Sequence, residues 1–171
     1  MKRMILLILF MIGFYATGSA QVRYSGKIES AYLKFQNTTI DVEPGPNWRG
    51  YYLNGEQNGI DINLINGISF KDKLFAGIGV GYLNFEGIKG ISVFSDFGFI
   101  PLKKRIAPML NAKLGYSHIW NQYKNGTGSA LIELGAGLRF GITERMGVYV
   151  QSGILMTQQS AMTPIRIGID F

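Results

Sequence analysis

Three observations in this 171-residue sequence predict an all-β fold: an eight-stranded antiparallel up-and-down transmembrane β-barrel, preceded by a cleaved signal peptide. Apolar residues recur at every second position through most of the chain, the period of a strand rather than a helix. Glycine is abundant, with 23 residues, and much of it alternates with bulky side chains; each such glycine would cost a helix about 1 kcal/mol relative to alanine. Charged residues make up only 16% of the chain, against about 25% in soluble domains, while 47% is hydrophobic.

The leader comes first. Lys2 and Arg3 open the chain, an apolar run fills 5–14, and Gly18 and Ala20 stand three and one residues before a cleavage point ahead of Gln21. That is the pattern of a secretory signal peptide over 1–20, too short to span a bilayer, and it leaves 21–171 as one barrel domain. The fifteen basic and eleven acidic residues that remain give a net charge of +4, too small an excess to predict a nucleic-acid partner for an exported chain. The absence of Cys excludes disulfide scaffolds, thiolate nucleophiles and Cys-based metal sites. A single His excludes a multi-histidine site, so no cofactor is expected. The longest uncharged run, 146–165, carries seven Ser, Thr and Gln side chains and Pro164, a load that a membrane helix would not tolerate.

The strands follow in order. The first, over 22–35, is the least regular, with Tyr24, Ile28 and Tyr32 opposing Ser25, Lys27 and Glu29. In 59–70 (GIDINLINGISF), Ile60, Ile62, Leu64, Ile68 and Phe70 oppose Asp61, Asn63, Ile65, Gly67 and Ser69. In 74–84, Leu74, Ala76, Ile78, Val80 and Tyr82 oppose Phe75, three glycines and Leu83. In 90–99, Ile91, Val93, Phe97 and Phe99 oppose Ser92, Phe94, Asp96 and Gly98. The fifth strand sets Leu110, Ala112, Leu114 and Tyr116 against Asn111, Lys113, Gly115 and Ser117. The sixth sets Ile132, Leu134, Leu138 and Phe140 against Leu131, Glu133, Gly135 and Arg139. The seventh opposes Val148, Val150 and Ile154 to Tyr149, Gln151 and Gly153, and the last opposes Ile165, Ile167, Ile169 and Phe171 to Arg166, Gly168 and Asp170. This much strand exceeds what an ordinary globular domain holds, and a transmembrane barrel requires it.

A soluble sandwich or lipocalin-like barrel would share the alternation, but with its apolar face inside and its polar face in water. Here the charged face is mostly small and glycine-rich, and the opposite face is bulky and uncharged. An eight-stranded barrel has an interior just wide enough to be filled by side chains. Small residues therefore belong inside and bulky apolar ones against lipid. That assignment puts a charge network in the lumen: Lys27, Glu29, Asp61, Asp96, Lys113, Glu133, Arg139 and Arg166, four bases and four acids in balance, with Asp170 near the mouth. Lys113 is the expected partner of Glu133.

Connections are expected to alternate between short periplasmic turns at 71–73, 101–106 and 141–145 and longer outer loops, of which 36–56 is the clearest. Phe70, Phe99, Phe140 and Phe171 then end the descending strands, and Tyr32, Tyr82 and Tyr116 sit near the upper ends of ascending ones, two aromatic girdles. The eight steps from Leu74 to Tyr82 span roughly 20 Å at a tilt of about 40°, close to the apolar band of about 25 Å. The basic residues Lys71, Lys73, Lys103, Lys104, Arg105 and Arg145 fall in the short turns, where lipid headgroups are the expected partners.

The tail IRIGIDF, with alternating Ile165, Ile167 and Ile169 before terminal Phe171, resembles the C-terminal assembly signal of outer-membrane barrels. INGISFKDKLFAGIGVGY followed by FSDFGFIPLKKRIAPMLNAKLGYS resembles the OmpX/OmpA-type family of small outer-membrane β-barrels, over 59–171. The resemblance implies a bacterial outer-membrane location and insertion by the barrel-assembly machinery through the Phe171 segment. It implies no single activity. Some barrels of this size are lipid A deacylases using Ser, His and an acid, which makes Ser117, His118 and Glu133 the enzyme candidate. Strand neighbours point to opposite faces, so Ser117 and Glu133 are expected inward and His118 outward beside Trp120, and no catalytic residue is assigned. The glycines of 77–81 and 135–137 lack the GxGxxG spacing of a phosphate loop and read as strand glycines facing the lumen.

The expected function is that of a non-catalytic integral outer-membrane protein with an envelope-structural or surface-interaction role. The loop 36–56, with Trp48, Tyr51 and Tyr52, would be its contact region for a surface ligand. The alternatives are a narrow porin-like channel and a lipid-modifying enzyme.

Overall fold

The computed structural model describes residues 22–38, 46, 57–120, 125–143, 145–157 and 160–171. The expected signal peptide over 1–20 lies outside these residues, and so does most of 36–56. The described chain forms eight strands: β1 (Val22–Thr38), β2 (Gly59–Phe70), β3 (Leu74–Phe85), β4 (Ile88–Phe99), β5 (Ile106–Ile119), β6 (Thr127–Gly141), β7 (Gly147–Thr157) and β8 (Ser160–Asp170). Each pairs antiparallel with its neighbour in sequence, and β8 pairs with β1 to close an up-and-down barrel. Closure leaves no unpaired sheet edge, the condition for crossing lipid with strands.

The period-two pattern becomes an inside and an outside. Thirty-five large apolar or aromatic side chains are exposed, among them Ile78 at 66%, Leu134 at 60% and Ile167 at 60%. A water-soluble monomer rarely exposes an apolar patch beyond a few hundred Å², and here the belt runs around the whole sheet. This surface requires lipid. Asn66, a polar residue on that face, is satisfied in place: the Tyr24 phenol donates to its Oδ1 at 2.6 Å.

Two expectations from the sequence need correction. Outer connections are not uniformly longer than the periplasmic ones: β3 and β4 are joined by Glu86 and Gly87 alone, and two residues separate β7 from β8. The hairpin works because Glu86 (φ 52°) and Gly87 (φ 106°) take positive φ, the backbone twist that two-residue β-hairpins need. Asn84 Oδ1 accepts from Gly87 N at 3.0 Å to hold it. The lumen is also not filled mainly by small and charged residues. Its outer end holds an apolar cluster in which Leu33, Phe35, Leu83, Phe85, Ile88 and Met162 are buried together. A second group, Ile65, Phe75 and Phe94, is buried lower down.

Glycine opposite an aromatic ring sets how these side chains fit. Gly79 pairs with Phe94 and Gly168 with Tyr149. A Cβ built on Gly79 would lie 2.5 Å from the Phe94 ring, and one on Gly168 would lie 2.3 Å from that of Tyr149. Each ring has room in the lumen because its ladder partner has no side chain.

Candidate functional site

The chemistry of the described residues concentrates in the middle of the lumen. Seven charged side chains from six strands converge there, each in the inward phase of its strand: Lys27 and Glu29 on β1, Asp61 on β2, Asp96 on β4, Lys113 on β5, Glu133 on β6 and Arg166 on β8. All are buried, Arg166 and Asp96 with almost no exposed surface.

Arg166 is the hub. Its Nη1 lies 2.8 Å from Asp61 Oδ2 and 3.0 Å from Glu29 Oε1, and its Nη2 donates to Glu133 Oε2 at 2.6 Å. Its Nε donates to Glu133 Oε1 at 3.1 Å, so the Glu133 carboxylate is clasped by both sides of the guanidinium fork. Glu29 is the second node: it accepts from Lys113 Nζ, from the Tyr149 hydroxyl at 2.7 Å and from Asn63 Nδ2 at 3.0 Å. Asn63 Nδ2 also donates to Asp61 Oδ2 at 2.8 Å. Alongside, Lys27 Nζ donates to Asp96 Oδ2 at 2.7 Å and sits 3.8 Å from the centre of the Phe75 ring, a cation–π contact. Asn111 Nδ2 donates to the other oxygen of Asp96.

The arrangement differs from the expected pairing in two ways. Glu133 takes Arg166 on β8 as its principal partner; the expected Lys113, directly across the β5–β6 ladder, keeps only a longer ion pair with it at 3.8 Å and gives its hydrogen bond to Glu29. A planar fork fits a carboxylate with two bonds where an ammonium makes one, so the arginine takes the bidentate site. Arg139 does not join the network: it pairs with Asp170 at the periplasmic mouth, Nε to Oδ2 at 2.8 Å, and both are partly exposed. Four bases against four acids therefore becomes three against four in the deep network, and Asp61 Oδ1 is left without a hydrogen-bond partner. Tyr149, Asn63 and Asn111 belong to the site and carry no charge to mark them; their only sequence signal is their inward phase.

The enzyme candidate is split across the sheet. Ser117 is buried in the lumen with its Oγ 3.1 Å from Ser129 Oγ. His118 faces outward, its Nε2 3.1 Å from the Asn125 carbonyl oxygen and its ring edge-on to Trp120 at 5.1 Å. Glu133 is held by Arg166. These three side chains form no nucleophile–base–acid relay.

Phe99, Phe140 and Phe171 are exposed on the outer face at the end where the chain terminates, and Phe70 is partly so; Tyr32, Tyr82 and Tyr116 are exposed towards the other end. Ile165, Ile167 and Ile169 also face out. Phe171 and Gly26 exchange backbone hydrogen bonds, N to O at 3.0 and 2.8 Å, and so extend the β8–β1 seam. The terminal ring lies over Gly26, where a Cβ would approach it to 2.7 Å.

No family model matches the chain, and no curated protein sequence does. Solved structures do match. Neisserial surface protein A superposes with a TM-score of 0.65 at 10% identity, over 87% of this chain and 97% of that one. The outer membrane enzyme PagL superposes with a TM-score of 0.51 at 14% identity, over 85% and 98%. Identities this low carry the fold alone. The chain has the fold of the small eight-stranded outer-membrane β-barrels, and its continuous apolar belt is the surface such a location demands.

Proposed function

We infer that this protein is a non-catalytic integral outer-membrane barrel that stabilises the envelope or meets surface partners through its outer connections, 36–56 above all. The observation that supports this reading is the filled lumen: an ionic network and an apolar cluster occupy it in series. A side-chain-filled eight-stranded barrel offers no bore, so what remains to act on the outside is the loop surface. A narrow channel is the second reading. It is favoured by a recess of about 70 Å³ at the periplasmic mouth, lined by Arg23, Ser25, Ser69 and Tyr149, that leads towards the network. A lipid-modifying enzyme is the third, supported only by a fold shared with PagL.

The test compares cells with and without the gene for uptake of small solutes, resistance to detergent and binding of surface ligands. Unchanged uptake with altered detergent resistance or binding is the expected result. Gene-dependent uptake of small solutes would overturn the reading in favour of the channel.

A further inference from the structure

The outer face of the barrel is not uniformly convex. On β3, β4 and β5, Ala76, Phe97 and Ala112 stand in one cross-strand row, because Ala76 pairs with Phe97 and Phe97 with Ala112. The two methyl side chains leave the sheet low on either side of the Phe97 ring. Leu74, Phe99, Leu110 and Leu134 rise around them, and the result is an almost wholly apolar groove of about 570 Å³. Its lower edge runs straight into two turns. Leu74 follows Lys73, and Phe99 and Leu110 flank the connection carrying Lys103, Lys104 and Arg105. The Ile100 N to Lys73 O hydrogen bond at 2.7 Å ties those two turns together beneath the groove.

Charge at this edge is one-sided. Lys71, Lys73, Lys103, Lys104 and Arg105 are exposed there against a single carboxylate, Asp72. Asp72 is already engaged by Lys103 at 3.1 Å and by Arg23 at 3.7 Å. Among the described residues no other carboxylate lies within salt-bridge distance of these bases. Leu102 is exposed in the same turn.

From this juxtaposition we propose that the groove and its basic edge are a binding site for one anionic phospholipid of the periplasmic leaflet. Its phosphate lies on Lys73, Lys103, Lys104 and Arg105, and an acyl chain runs over Ala76 and Ala112. The inference rests on the barrel's being embedded in lipid. The two parts of the site contribute differently. An acyl chain leaving bulk lipid for the groove exchanges one apolar surface for another, so the groove supplies shape and little driving force. Selection among lipids therefore comes from the headgroup, through several cations acting at the edge of a low-dielectric region.

Native mass spectrometry of the full barrel in non-ionic detergent, with equimolar phosphatidylglycerol and phosphatidylcholine, reads the site directly. One phosphatidylglycerol per barrel is expected to be retained, about tenfold over phosphatidylcholine, the effect of one or two basic contacts. The exposed triple variant Lys103→Ser, Lys104→Ser, Arg105→Ser removes that preference. Ala76→Leu with Ala112→Leu fills the groove, keeps every charge, and lowers retention about threefold or more. Equal retention of the two lipids by the unaltered barrel overturns the site. Undiminished retention by the groove-filled variant also overturns it, because headgroup attraction then needs no groove. Gel mobility before and after heating reads the barrel separately. Equal retention by a chain that shifts on heating overturns the lipid site alone, whereas a chain with no shift overturns the barrel and the site with it.

Discussion

Arg166 meets three carboxylates with four contacts because a guanidinium carries five donors in a rigid plane. The deep network has four acids and three bases, so its members are not equivalent. Glu133 uses both oxygens on Arg166, and Glu133→Ala would strand half of that fork in a buried site, at a cost of about 3 kcal/mol. Asp61 is the acid with a free oxygen, and an amide in its place keeps one acceptor for Arg166 and Asn63 while removing the surplus negative charge. Asp61→Asn is therefore expected to change stability by less than about 1 kcal/mol. Urea unfolding in phospholipid vesicles measures both; an Asp61→Asn loss as large as that of Glu133→Ala would refute the idea of a surplus acid. The residues of this network are legible in the sequence, since alternation alone sends each of them inward. Their pairing is not. Arg166 and Glu133 are 33 positions apart on strands that are not neighbours, and only the stagger of the closed barrel brings them to one level.

Alternation tells which face a residue takes and is silent about height along the strand, and β6 shows the difference. Leu131, Glu133, Gly135 and Arg139 share the inward phase, yet they pass from the apolar cluster through the ionic network to the periplasmic mouth. Ile132 faces lipid, so Ile132→Arg is expected to cost about 2–4 kcal/mol. From phase alone Leu131→Arg looks milder. It is not, because Leu131 is 5% exposed among buried apolar side chains and an arginine there would have to overfill the cluster. Refolding yields into vesicles should fall for both variants; a Leu131→Arg barrel that assembles like the unaltered one would show that the outer lumen has room to spare. The closing seam makes a second element-scale point. Phe171 completes the β8–β1 ladder with its ring lying over Gly26. Gly26→Leu would push the ring aside at a cost of roughly 1–3 kcal/mol, slowing assembly. Gly26→Ala would do the same more weakly, and kinetics of the heat-sensitive gel shift would rank the two. The sequence shows the terminal Phe171 plainly, whereas its glycine partner at the far end of the barrel domain emerges only from the closure.

At the scale of the whole molecule the barrel carries two seals of different chemistry, stacked along one axis. The ionic layer resists ions because its three bases are all engaged and every carboxylate oxygen but Asp61 Oδ1 is bonded, so a solute crossing it would have to break bonds such as Arg166–Glu133 at 2.6 Å. The apolar layer above, with Phe85, Ile88 and Met162 buried to 2% exposure or less, resists them because an ion there has no partner and loses its hydration. Barriers in series are governed by the higher one, so removing either layer leaves the other to block conduction. The unaltered protein is expected to show no steady current in planar bilayers. Arg166→Ala alone should also stay silent while Phe85 and its neighbours close the outer end, and Phe85→Ala alone should stay silent behind the ionic layer. Only a barrel altered in both layers is expected to conduct. Because such a variant could fail to close, each sample is first checked for the heat-dependent gel shift, and currents are compared among folded barrels only. Steady ion-selective currents from the unaltered barrel would end the sealed-lumen account. Currents from Arg166→Ala alone would show that the apolar layer is no barrier, leaving the ionic network as the single plug.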